Sequence, residues 1–66
     1  MFVIYDSTTK KALSYTSAHT EQSEGKAIAE TSIVDDLLVF NCYIKEVKYN
    51  EIKGCDIVIA IESHGK

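Results

Sequence analysis

The 66-residue chain contains no proline, no tryptophan and no arginine, and it has only two cysteines and three glycines. Without arginine it lacks the planar fork that grips phosphates and guanine edges in bidentate fashion. All seven basic residues are lysines, dispersed at 10, 11, 26, 45, 48, 53 and 66 among ten acids, for a net charge of −3. A nucleic-acid-binding domain of this size carries a basic stripe. None is present, so no nucleic-acid partner is expected, and −3 is too thin a negative field for an acidic mimic of DNA. Without tryptophan, the core must rest on Ile, Val and Leu, with Phe2, Phe40 and four tyrosines for bulk.

The scarcity of cysteine and histidine bears on metals and disulfides. Cys42, Cys55, His19 and His64 form no CxxC or HxxxH pattern, so no metal site and no cofactor are expected. A hairpin turn near 52–53 would set position 55 opposite about 50, leaving Cys42 several rungs away and beyond the Cα separation of about 7 Å that a bridge tolerates. Long apolar runs are also missing. "MFVIYDSTTK" has no basic stretch and too short an apolar run for a secretory signal. No segment approaches the roughly 20 apolar residues that span a bilayer. No membrane association is expected, and the expected location is the cytoplasm, where thiols stay reduced.

What is present suits a folded domain: 45% hydrophobic and 26% charged residues. The chain reads as a single small β-rich domain over 1–66, without linker or repeat. A chain of this length buries only about 60% of the surface its unfolded form exposes, and such domains often lean on partners. "FVIYD" (2–6) and "KALSYTS" (11–17) flank a short polar loop and predict a β-hairpin. "AHTEQSEGK" (18–26) reads as an exposed loop, and "AIAETS" (27–32) as a short strand with Ile28 inward. Over 32–52, Ser32 and Asp35 fit a variant of the helix-capping box. From Phe40 onward a period of two fits better, with the favoured face switching between Ile44 and Val47. That switch predicts a bulge near Lys45–Glu46. The reading is a short helical segment near 33–38 and a strand over 39–50; a helix running through to 46 is the alternative. "KG" (53–54) signals a turn and "CDIVIAIE" (55–62) a last strand. The fold class is therefore β-rich α+β: a small, mostly antiparallel sheet of about five strands with one helical segment.

The closing stretch "GCDIVIAIESHGK" (54–66) gathers a cysteine, acids, a serine and a histidine. On an extended strand, at about 3.3 Å per residue, Cys55 and His64 stand roughly 30 Å apart. A nucleophile and its base must lie within about 3 Å, so the tail reads as an apolar strand with polar ends. Strict alternation puts Cys55, Ile57, Ile59 and Ile61 on one face, and Asp56, Val58, Ala60 and Glu62 on the other. Both faces are apolar in part, and "FVIY" has the same character, with Phe2 and Ile4 opposed to Val3 and Tyr5. Strands apolar on both faces are covered on both sides. A chain this small has little with which to cover the second face, so a homo-oligomer is expected, with Val3, Tyr5, Val58 and Ala60 at the interface.

Ligand or partner contacts are expected from the 18–26 loop, through His19, Glu21, Glu24 and Lys26, because binding residues concentrate in loops held by rigid scaffolds. The plainer reading is a solvated connector. Asp35–Asp36 fits helix N-terminal charge better than paired catalytic acids. "EGKA" (24–27) lacks the second glycine and the hydroxyl residue of a phosphate loop. No nucleophile–base or ligand constellation can be drawn, so the chain is not expected to be an enzyme.

The opening "FVIYDSTTKKALSYTS", with "EGKAIAE" after it, resembles the start of small accessory proteins encoded by phages and prophages of low-GC Gram-positive bacteria. The resemblance implies a host-cytoplasmic protein that associates with virion parts or acts against a host system. The expectation is a non-enzymatic, self-associating structural or interaction module. The alternative is an inhibitor of a host defence protein, or a sponge holding a small ligand between subunits.

Overall fold

A computed structural model of the chain describes residues 1–32 and 42–63. Strands β1 (Phe2–Asp6), β2 (Ala12–Thr16), β3 (Lys26–Glu30), β4 (Cys42–Asn50) and β5 (Cys55–Ser63) form one five-stranded sheet in the order β2-β1-β3-β5-β4. β1 pairs antiparallel with β2 on one side and β3 on the other. β4 and β5 form an antiparallel hairpin. The two groups meet where β3 runs parallel to β5, with Glu30 opposite Ile57. The sheet is thus mixed, its one parallel pairing among the described residues departing from an otherwise antiparallel pattern. The edge strands also touch: Lys11 bridges Tyr43, and the Ile44 N–H donates to the Lys10 carbonyl at 2.7 Å. The sheet therefore curls toward a barrel whose edges are joined at one place.

The expected helical segment near 33–38 and the start of the expected strand at 39–41 lie outside the described residues. The alternative of a helix through to 46 is overturned from Cys42 onward, where β4 begins. Tyr43, Ile44, Val47 and Tyr49 are β-branched or aromatic, and such side chains pack well on a pleated surface.

One face of the strands forms the interior. Val3, Tyr5, Ala12, Ala29, Cys42 and Ile44 make the buried cluster, with Tyr15, Ala27, Val47, Val58 and Ile61 packed against it. Register explains how the bulk fits. Tyr5 lies between Ala12 on β2 and Ala27 on β3, and Val3 lies between Tyr15 and Ala29. Each cross-strand row thus sets a large side chain beside a small one, which fills the narrow interior of a curled sheet.

Bulges adjust the longer strands. Between Ile44–Ile61 and Glu46–Ala60, β4 gains Lys45, and between Glu46–Ala60 and Val47–Val58, β5 gains Ile59. The β4 bulge accounts for the face switch read in the sequence. The β5 bulge breaks the alternation expected of the last strand, so that Val58 and Ile61 both pack against the core.

The two tight turns share one construction. At residues 6–11, an Asp6 Oδ1 accepts from the Thr9 N–H at 2.9 Å, the Asp6 carbonyl accepts from the Lys10 N–H at 2.7 Å, and Lys10 takes φ +71°. At residues 50–55, Asn50 Oδ1 accepts from the Lys53 N–H at 2.9 Å, the Asn50 carbonyl accepts from the Gly54 N–H at 2.7 Å, and Gly54 takes φ +73°. An Asx residue opens each turn and a left-handed residue closes it.

Candidate functional site

The connection between β2 and β3 is dictated by the register. β2 ends beside Phe2, whereas β3 begins beside Asp6, so residues 17–25 must return along the length of β1. They cross its outward face: the His19 ring stands edge-on to Phe2, with centroids 5.5 Å apart and planes at 79°. Phe2 and Ile4 are half-buried. The loop is tied locally. Gln22 Nε2 donates to Thr20 Oγ1 at 2.8 Å, the Lys26 N–H to the Ser23 carbonyl at 3.1 Å, and the Ser7 N–H to the Gly25 carbonyl at 2.9 Å.

His19, Glu21, Glu24 and Lys26 are all exposed. Among the described residues no ion pair or side-chain hydrogen bond joins them. His19 acts as part of a cover over β1, and the other three face solvent.

The four positions expected at a subunit interface divide between the chain's own core and its surface. Val3 is fully buried and Tyr5 only 3% exposed, both inside the chain's own core. Val58 packs half-buried against that core, and Ala60 sits half-buried opposite Glu46. Three of the four are thus taken up by the chain's own core, and Ala60 is not. The curled sheet turns Val3, Tyr5 and Val58 inward, and the outward side chains are their strand neighbours. Exposed apolar side chains of the β4–β5 hairpin are Ile59 at 53%, Tyr49 at 60% and Ile52, in the turn, at 95%. Ile59 is pushed out by the bulge and Ile52 by the turn, and neither position shows in strict alternation.

A recess of about 470 Å³ opens where β3 ends and β5 continues past it. Met1, Thr31, Ser32, Asn50, Ile57 and Val58 line it together with Glu30 and Lys53. Lys53 Nζ lies 3.1 Å from Glu30 Oε2 across its rim. Both side chains are substantially solvated, so the ion pair orients groups more than it stabilises the fold. Residues so far apart in the chain give no local signal of meeting. Among the described residues, no group of histidine, cysteine, aspartate and glutamate side chains could hold a metal ion.

Two side chains have displaced acidities. Burial, reinforced by the Asp56 carboxylate, raises the Tyr5 phenol above its ordinary range and keeps it a neutral core residue. The N–H groups of Thr9 and Thr8 hold the Asp6 carboxyl below the usual carboxylate range. Both shifts follow from structural roles, one in the core and one in a turn.

Cys42 and Cys55 are buried and form no disulfide. They sit at opposite ends of the β4–β5 hairpin, Cys42 paired with Ser63 and Cys55 with Asn50. His64 lies outside the described residues. No helix among the described residues is long and apolar enough to cross a membrane. Compared with family models, with curated proteins and with solved structures, the chain matches none.

Proposed function

We propose that the chain is a non-enzymatic, self-associating interaction module. The observation that carries this reading is the exposure of three large apolar side chains on the β4–β5 hairpin, Tyr49, Ile52 and Ile59, each more than half exposed. Several exposed apolar side chains on one element mark an interaction site more often than single scattered ones do. Among the described residues, three of the five large apolar side chains that stand exposed belong to this hairpin, the others being Met1 and Leu13. If the resemblance of the opening hairpin holds, such a module serves a phage accessory role in the host cytoplasm, alone or with a virion protein.

Light scattering coupled to size-exclusion chromatography, over a hundredfold range of concentration, tests the proposal. A dimer or larger assembly supports it. A monomer at every concentration overturns it and points to a foreign partner, such as a host defence protein, for the exposed hairpin.

A second reading, a small-ligand binder, draws on the recess beside Glu30 and Lys53. Its volume of about 470 Å³ falls in the range of small-molecule sites. A lining that combines apolar side chains with an ammonium, a carboxylate, an amide and hydroxyls suits a small amphipathic molecule bearing charge. Amide exchange with candidate ligands separates the readings: a ligand there protects residues 30–32 and 50–58, not the 18–26 loop.

A further inference from the structure

The order β2-β1-β3-β5-β4 leaves β4 at one edge of the sheet. Its contact with the other edge is the Lys11–Tyr43 bridge, together with the hydrogen bond from the Ile44 N–H to the Lys10 carbonyl. Beyond Ile44, β4 runs on to Asn50, past the β1–β2 turn, and no described strand flanks it there. An open strand edge is a template for another chain, and charged side chains decide which strand it accepts.

Those charges are self-complementary. Val47 packs toward the core, so Glu46 and Lys48, its neighbours on either side, share the outward face, and both are exposed. Inside the chain they lie opposite Ala60 and Ile57, and no ion pair engages either among the described residues. A two-fold axis perpendicular to the sheet keeps the same face up in both copies, so the axis must pass through a residue facing its own copy. Centred on Glu46, the register sets carboxylate against carboxylate. Centred on Lys48, it sets ammonium against ammonium. Centred on Val47, it sets Glu46 against Lys48 of the partner subunit, twice by symmetry, and Lys45 against Tyr49 of the partner subunit.

Resting on the self-association reading above, we infer that two copies of this chain join their β4 edges antiparallel about a two-fold axis at Val47. Glu46 and Lys48 fix the register. Directly opposed unlike charges favour a strand pair and like charges disfavour it, so the pattern admits a copy of the chain in this register and rejects its neighbours.

Charge exchange tests the inference, read by sedimentation velocity, with far-UV circular dichroism to confirm folding. Glu46→Lys and Lys48→Glu each convert two attractive pairs into two repulsive ones, and each should raise the dimer dissociation constant on the order of tenfold. The double exchange E46K/K48E restores both pairs and should return dissociation to the wild-type value. An equimolar mixture of the two single variants should form a mixed dimer that neither forms well alone, a result no folding defect can mimic. A wild-type dimer that the single exchanges leave unchanged overturns this inference and leaves the self-association reading standing on another surface. A wild-type chain that is monomeric throughout overturns both.

Discussion

The turn at residues 6–11 and the turn at residues 50–55 make the same main-chain hydrogen bonds and reach the same left-handed closing position, yet one closes on Lys10 and the other on Gly54. Glycine adopts that conformation without steric penalty, whereas a side chain there costs about 1–2 kcal/mol. The first turn has compensations that the second lacks. Asp6 accepts a further N–H, from Thr8 at 2.8 Å, and the Lys10 ammonium stands 5.8 Å from the centre of the Tyr5 ring. The Asx residue is thus what the two turns share, and the closing residue adapts to its surroundings. The hairpins beyond them differ more. β1 is paired on both sides and contributes Val3 and Tyr5 to the core. β4 is paired with β5 on one side and places Tyr49 and Lys48 in solvent.

The largest expected effect breaks this comparison at its two tyrosines. Tyr5→Ala empties a buried site flanked by alanines and should lower stability by about 3 kcal/mol or more. Tyr49→Ala should change it by no more than about 0.5 kcal/mol at a fixed low protein concentration, where association does not contribute. Urea unfolding followed by far-UV circular dichroism reads both; equal losses would mean that the hairpins share the core equally.

Exchanging the closing residues sharpens the turn comparison. Gly54→Lys should destabilise the chain by about 1–2 kcal/mol, from backbone strain alone, because open space surrounds Gly54. Lys10→Gly should shift stability by less than about 1 kcal/mol, since relief of strain is offset by the lost contact with Tyr5 and the greater freedom of glycine in the unfolded chain. Asn50→Ala removes one hydrogen bond at the opposite end of the second turn and should cost about 1 kcal/mol.

The smallest effect is in pH dependence. The Asp6 carboxyl titrates below its unfolded range, so its contribution is present above that range and is lost as pH falls through the folded value. Asp6→Asn should flatten the acid limb of the stability profile and preserve the turn, which Asn50 already opens in the other hairpin. Tyr5 runs the other way. Its acidity is weakened by folding, so its contribution is intact below the ordinary tyrosine range and declines as pH rises through it toward the folded value. Thermal melts from acid to alkaline pH check both signs.

Much of this fold is legible in local sequence. "FVIYD" and "KALSYTS" around a short polar loop announce the first hairpin, and the displaced alternation after Ile44 announces the β4 bulge. Both are carried by neighbouring residues. The parallel meeting of Glu30 with Ile57 and the bridge from Lys11 to Tyr43 depend on residues far apart in the chain, and no periodicity encodes them. That is why the apolar faces of β1 and β5 were legible as two-sided while the inward face was not. The sequence reading sends Val3 and Tyr5 to a partner because it cannot see the 17–25 loop lying over Phe2. The expected loop contacts meet the same limit: His19 has a ring to cover, and nothing local in the sequence says so. The recess beside Glu30 and Lys53 likewise exists only once β3 and β5 are adjacent.

In the proposed dimer β1 is satisfied within one chain, whereas the β4 edge is satisfied by a second copy. Amide hydrogen exchange at low and high protein concentration tests it most directly. The β1 and β3 amides should be protected equally at both concentrations, while the outward-directed amides of β4 between Lys45 and Tyr49 should gain protection only at the higher one. Protection of β4 that does not change with concentration would contradict it.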